Sequence, residues 1–295
     1  MRRYLAFLLL GFWLSGAGAA YADQLQGQSL SGQWVLGHAD SCLLDDHLTH
    51  VAANGQCLAI QTYMNELPAP HPVLLVFIHG DGIPGGSPAD YLRFQATQFA
   101  SDHVVPLVLI RPGYYDSYGH YSTGNSQAFA CNGYPCDGYR PDVVATLAGA
   151  VTALKVFYHP SCTILVGHSG GAMMSGIMLG KYPQLANGAV LASVTYNVHA
   201  WASKHGWGPW PNSLSPSDWV AKIPKQDFVY IVSGTEDANT YPAMTQQYAS
   251  ALEKAGIDTH LISVPGGTHN SVVLDDAADF DVAIHNAIQN CPVGS

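Results

Sequence analysis

Charge is scarce in this chain. Only 11% of its 295 residues are charged, and 11 Lys and Arg stand against 21 Asp and Glu, a formal charge of −10. So few basic residues leave no electrostatic footprint for nucleic acid or for an anionic lipid surface. No apolar run approaches the ~20 residues that span a bilayer. The run from Tyr4 to Leu14 is already broken at Gly11, so no stable membrane insertion is expected. There is no C-x₂-C pair and no matching histidine spacing, which argues against a structural zinc site. Repeats, low-complexity tails and interdomain linkers are missing as well, and their absence points to one domain rather than an array.

What is present begins with Met1-Arg2-Arg3, an apolar stretch and small residues ending Ala20-Tyr21-Ala22. This is the pattern of a secretory signal peptide, with cleavage expected after Ala22. Residues 23–295 then form a single catalytic domain, exported to the periplasm or the medium. Removing Arg2 and Arg3 takes the formal charge to −12. All six cysteines lie beyond the cleavage site, and an even count in an exported chain predicts disulfides. Cys42 with Cys57 and Cys131 with Cys136 would close short loops, leaving Cys162 before a strand to meet Cys291 after the last helix.

Hydrophobic periodicity predicts strands at Gln33–Leu36, Leu58–Tyr63, Val73–Phe77, Val105–Ile110, Thr163–Val166, Gly188–Ala192, Phe228–Val232 and His260–Val264. Several are unbroken apolar runs, as in parallel strands covered on both faces. Helices are predicted between them, from Ser87-Pro88 through Ser101, from Pro141 to Tyr158, near Tyr241–Lys254 and near Ala277–Gln289. The alternation predicts a doubly wound α/β sheet. Two segments break it. Residues 113–140 hold six tyrosines (Tyr114, Tyr115, Tyr118, Tyr121, Tyr134 and Tyr139), and residues 195–226 hold Trp201, Trp207, Trp210 and Trp219. Each follows the carboxyl end of a strand, where such sheets bind ligands. They read either as a substrate rim with a short lid or as aromatic filling for loop mass.

The strand Thr163–Val166 runs into Gly167-His168-Ser169-Gly170-Gly171 and then a small-residue helix. A G-x-S-x-G sequence at a strand-to-helix turn lifts the serine hydroxyl above the sheet. A hydroxyl needs a base to take its proton, and the base needs an orienting carboxylate. Among the acids between Ser169 and His269, Asp227 and Asp258 precede their strands, Glu253 lies late in a helix and Asp218 in the tryptophan-rich segment. Only Glu236 and Asp237, after Phe228–Val232, reach the same sheet edge as Ser169. Among histidines, His260 begins a strand and His285 lies within a helix, whereas His269 follows a strand through a glycine turn. The set is Ser169, Asp237 or Glu236, and His269. A further cluster, Asp45-Asp46-His47 with His50, reads as a polar loop within the Cys42–Cys57 span rather than a metal site.

The order Ser…Asp…His and these motifs resemble the α/β-hydrolase superfamily across residues 55–290. Gly234-Thr235-Glu236-Asp237 resembles its acid turn and favours Asp237 over Glu236. Gly267-Thr268-His269 resembles its histidine loop, and Arg111-Pro112-Gly113-Tyr114 its turn after the fourth strand. The resemblance implies an eight-stranded, mostly parallel sheet with helices on both faces. It also implies an oxyanion hole built from the Gly170 N–H and the loop His79-Gly80-Asp81-Gly82, with Asp81 the first donor and Gly82 the next. That H-G-D-G differs from the H-G-G-G of many lipases and the H-G-G-P-G of proline iminopeptidases. His79 is expected to fix its loop, and His168 to act as a spacer.

Together these imply an exported serine hydrolase that cleaves small carboxylic esters, with short or aromatic acyl groups, through an acyl-enzyme. The expectation includes no cofactor, no metal, no nucleic-acid partner and a monomeric state. A peptidase or amidase of the same fold, or an inactive binding protein on it, are the alternatives. Residues 195–217 contain no acidic side chain to grip a substrate amine and these residues show no propeller, which favours esters. An intact Ser, Asp and His set argues against the inactive reading.

Overall fold

The computed structural model describes residues 42, 45–64, 68–82, 89–125, 138–208, 210–275 and 277–291. The expected signal peptide 1–22, the expected strand Gln33–Leu36, the expected Ser87-Pro88 helix start and the pair Cys131 and Cys136 lie outside the described residues.

Eight strands form one sheet in the order β1-β2-β4-β3-β5-β6-β7-β8. They are β1 His50–Ala53, β2 Gln56–Thr62, β3 Val73–Ile78, β4 Val104–Leu109, β5 Cys162–His168, β6 Gly188–Ala192, β7 Phe228–Gly234 and β8 Asp258–Val264. The pairs β1–β2 and β2–β4 are antiparallel, and every pair from β4 onward is parallel. Strands β4, β5, β6 and β7 are buried along their whole length, which is why they read as unbroken apolar runs.

The helices are α1 Arg93–Gln98, α2 Pro141–Tyr158, α3 Gly170–Lys181, α4 Val198–Lys204, α5 Pro242–Lys254, α6 Ser271–Leu274 and α7 Ala278–Gln289. Helices α2, α3 and α5 cover one face with Val144, Leu147, Val151, Leu154, Ile177 and Leu252. Helices α1 and α7 cover the other with Ala96, Phe280, Ile284 and Ala287. Pro141 starts α2 because the first helical N–H needs no partner, and its fixed φ suits the first turn.

Three elements differ from the sequence expectation. Asp45-Asp46-His47 lie in a loop as expected, but His50 opens strand β1, which hydrophobic periodicity does not predict and which pairs with β2 through Asn54-Gly55, both at positive φ (48° and 75°). Asn-Gly between apolar stretches is a strong hairpin signal and was the clue available. Asp46 ends the preceding loop, its Oδ1 accepting the N–H groups of Leu48, Thr49 and His50. Helix α1 is confined to Arg93–Gln98: the described residues 89–92 before it are not helical, and after it Ser101 forms an isolated bridge to Val104 just ahead of β4. Helix α4 forms inside the tryptophan-rich segment, capped by Asn197 Oδ1 accepting from the Ala200 N–H.

Cys42 is bonded to Cys57, and Cys162 at the start of β5 to Cys291 just after α7. The second bridge closes a loop with a sequence separation of 129 residues. Such closure is worth about 5 kcal/mol in the chain-entropy account, with native strain able to reduce it. A Cys162→Ser/Cys291→Ser double variant is therefore expected to lose several kcal/mol in urea unfolding, and Cys42→Ser/Cys57→Ser less. Equal losses for the two pairs would contradict the loop-length argument.

Candidate active site

The turn after β5 is built from absent side chains. A β-carbon on Gly171 would lie 2.0 Å from the Ile78 carbonyl oxygen, and one on Gly167 would lie 2.6 Å from the Ala172 backbone. Helix α3 can therefore pack directly on the end of β3. Ser169 is left at φ 53° and ψ −119°, a conformation L-residues rarely adopt. Such strain persists only where the surroundings enforce it, and it clusters at functional sites. Its hydroxyl is thereby presented at the carboxyl edge of the sheet.

Ser169 Oγ donates to His269 Nε2 at 2.9 Å, and His269 Nδ1 donates to Asp237 Oδ2 at 3.0 Å. The proton sits on Nδ1 because the carboxylate can only accept, so Nε2 is left free to accept from the serine. Asp237 is buried, whereas its neighbour Glu236 is exposed. The Asp237 carboxylate also accepts from Asn239 N (2.8 Å), Thr240 N (2.9 Å) and Thr240 Oγ1 (2.6 Å). Burial alone would raise its pKa. His269 and these donors outweigh burial and hold it far below the ordinary carboxylate range. Backbone bonds join the acid and histidine loops, with Glu236 N donating to Gly267 O at 2.9 Å.

His168 does more than space the turn. Its Nε2 donates to the His269 carbonyl oxygen at 2.9 Å, which leaves Nδ1 to accept from Tyr91 OH at 2.5 Å. Tyr91 OH in turn accepts the Gly80 N–H at 2.8 Å. Ser193, itself at φ 53°, donates a second bond to the same His269 carbonyl at 3.0 Å. The histidine loop and the Gly80 loop thus hang from one imidazole.

Within the loop His79-Gly80-Asp81-Gly82, His79 Nε2 accepts the Arg111 N–H at 3.0 Å, which fixes the loop to the end of β4. Among the described residues, neither the Asp81 N–H nor the Gly170 N–H has a hydrogen-bond partner. Gly170 lacks one because it opens a helix. The Gly82 N–H faces Tyr114 OH at 3.4 Å.

The aromatic segments divide by burial. Trp201 and Trp210 are buried, packed on each other at 5.4 Å, while Trp207 and Trp219 are half-buried. Trp201 Nε1 donates to Asn239 O, and Trp210 packs against Tyr139. In the other segment Tyr114 and Tyr139 are buried beside Asp81 and Gly82, Tyr118 and Tyr121 are exposed, and Tyr134 lies outside the described residues. Much of this aromatic mass is therefore filling that braces the edge loops. Tyr91, Ser193 and Thr240, which complete the site's hydrogen bonds, carry no local signal in the sequence. No group of three metal-ligating side chains occurs among the described residues.

A buried imidazole resists protonation. Burial first, and then the neighbouring Arg111 or His269 side chain, push His79 and His168 down to about 3. In the unfolded chain both would titrate near 6.5. Unfolding therefore takes up protons between pH 6.5 and 3, so their contribution is complete above 6.5 and is lost as the pH falls. Each is expected to remove up to about 1.4 kcal/mol of stability per pH unit below 6. Urea unfolding at pH 7, 6, 5 and 4 measures this, and His168→Gln should flatten the slope. A slope unchanged in that variant contradicts the reading.

The family profile described as the prolyl oligopeptidase family, peptidase S9, matches residues 119–282. No curated protein matches the chain in sequence. Among solved structures, the acylaminoacyl peptidase of Pyrococcus horikoshii is similar at a TM-score of 0.59 and 13% identity, covering 81% of this chain and 41% of its own. Esterase 2 of Thermogutta terrifontis, in a form phosphonylated by cyclosarin, is similar at 0.53 and 21% identity, covering 78% and 89%. The enol-lactonase of Burkholderia xenovorans is similar at 0.57 and 13% identity, covering 81% and 99%. This chain spans about two-fifths of the peptidase and most of the other two. At these identities the likeness is one of fold, the α/β-hydrolase fold.

Proposed function

Since the chain belongs to the prolyl oligopeptidase family and is a serine hydrolase of the α/β-hydrolase fold, we propose that it cleaves carboxylic esters through an acyl-enzyme on Ser169. The observation that carries this reading is the continuous hydrogen-bonded line Ser169–His269–Asp237 at a strained turn. In this reading Ser169 Oγ attacks the ester carbonyl carbon while its proton passes to His269 Nε2. The imidazolium, held by Asp237, then delivers that proton to the departing alkoxide. Water repeats the sequence on the acyl-enzyme and releases the acid. The unpartnered N–H groups of Gly170 and Asp81 receive the oxyanion in both halves, with Gly82 alongside.

Two features favour esters over peptides. Residues 195–217 contain no acidic side chain. Asp81, the carboxylate nearest Gly170, has both oxygens occupied by Arg111 and Tyr139, so it is not free to bind a substrate amine. The family match itself supports the second reading, a peptidase that accepts acylated or free amino termini. A signal peptide ending at Ala22, three disulfides including Cys131–Cys136, a monomeric state and export complete the proposal.

Ser169→Ala is expected to lower kcat on nitrophenyl butyrate by about 10⁴-fold or more, with an unchanged melting temperature. A residual rate within tenfold of wild type overturns the assignment. Asp237→Asn should cripple turnover where Glu236→Gln retains most of it.

Comparing kcat/KM for acetyl, butyryl, aryl and decanoyl nitrophenyl esters with acyl-aminoacyl nitroanilides tests the substrate class. Short and aromatic esters should lead. A lead for the anilides installs the peptidase reading, and a steady rise with chain length removes the short-acyl preference.

A further inference from the structure

The reading above leaves a carboxylate where negative charge must develop. A β-carbon on Gly170 would lie 2.6 Å from Asp81 Oδ1 and 2.8 Å from its Cγ, so the Asp81 side chain packs directly on the α-carbon of Gly170. The N–H of that same residue is one of those assigned to the oxyanion, which would sit about 3 Å from the nitrogen. Carboxylate and oxyanion would thus be separated by little more than one residue, well inside the range over which like charges repel. An uncompensated Asp81 would oppose the transition state it sits beside.

We propose that Arg111 is a positioning residue which cancels the charge of Asp81 and, with Tyr139, clamps its side chain so that the oxyanion site is left both neutral and rigid. Arg111 Nη1 donates to Asp81 Oδ1 at 2.7 Å, and its side chain is wholly buried. Tyr139 OH donates to the other carboxylate oxygen, Oδ2, in a short hydrogen bond. Each partner is anchored independently of Asp81. The Arg111 N–H donates to His79 Nε2 at 3.0 Å, its guanidinium faces the His79 carbonyl at 3.4 Å, and it lies 5.3 Å from the centre of the Tyr114 ring. Tyr139 packs on Trp210 with ring centres 5.9 Å apart. With each oxygen held by a different partner the side chain is kept from rotating, and its backbone N–H keeps one direction. Tyr139 remains a donor throughout, because burial and the Asp81 charge hold its phenol protonated. Arg111 stays charged despite burial, since the Asp81 carboxylate outweighs the cost of desolvation.

This inference rests on Ser169 being the nucleophile, and the test separates the two. A trifluoromethyl ketone analogue of a butyrate ester adds Ser169 Oγ to its carbonyl carbon. The serine proton moves to His269, and the new oxyanion lies in the hole, so its inhibition constant reports that hole. Fluorophosphonate labelling of Ser169 in the wild type comes first. No labelling fails the parent reading.

With labelling established, Arg111→Met is expected to weaken ketone inhibition about 100-fold and to lower kcat in parallel, with KM within about threefold of wild type. The double variant Asp81→Asn/Arg111→Met removes both charges and should recover at least tenfold of that loss. A purely structural Arg111 gives the opposite, a double variant no better than the single one, and that result overturns the clamp. Tyr139→Phe leaves the ion pair in place and keeps the test usable if Arg111→Met does not fold. It should weaken ketone inhibition about fivefold at constant KM, and unchanged inhibition overturns the proposal.

Discussion

Everything at the edge of this sheet depends on how closely helix α3 approaches strand β3. The Gly171 α-carbon lies against the Ile78 carbonyl, where a methyl group would overlap it at 2.0 Å. That contact lets the chain reverse within a few residues of the buried strand β5 and forces Ser169 into its unusual backbone state. Any larger residue at position 171 would push the helix away from the sheet. The turn would relax, and the serine would lose its place relative to His269, which is fixed from other strands.

Those other strands supply the remaining geometry, and they are cross-tied rather than merely adjacent. His168 links the histidine loop to the Gly80 loop, and the backbone of Glu236 links the acid loop to the histidine loop. The line Tyr139, Trp210, Trp201 and Asn239 connects Asp81 to the residues beside Asp237 through ring packing and a half-buried indole hydrogen bond. Fixed donors and acceptors of this kind need no reorganisation when charge develops nearby. The tryptophan-rich segment, with few strands or long helices of its own, owes its order to the same contacts.

Much of this was legible in the chain. Buried parallel strands leave unbroken apolar runs, so β3 to β7 could be read directly. Knowing which end of each strand faces the Ser169 turn narrowed the acids to Glu236 and Asp237 and the histidines to His269, and it is Asp237, not the exposed Glu236, that lies against His269 in the folded chain. Local chemistry failed where the decisive partner is distant in sequence. Strand β1 has short, mixed residues, and only its Asn54-Gly55 turn marks it. Tyr91 meets a histidine 77 residues on, and Tyr139 meets an aspartate 58 residues back. No window of sequence holds both members of such pairs. The eventual surroundings of Asp81 were hidden for the same reason, since its two partners come from different loops.

The bridge from Cys162 to Cys291 encloses Ser169, Asp237 and His269 within one covalent ring. Cys162 opens the strand whose far end carries Ser169, so the last helix is fastened to the base of that strand. A protease that cuts once between residues 195 and 226 therefore releases no fragment. The two pieces stay joined through sulfur and the β6–β7 pairing still holds the sheet. Wherever the surroundings keep this bridge oxidised, a chain nicked there stays one molecule rather than becoming two lost halves.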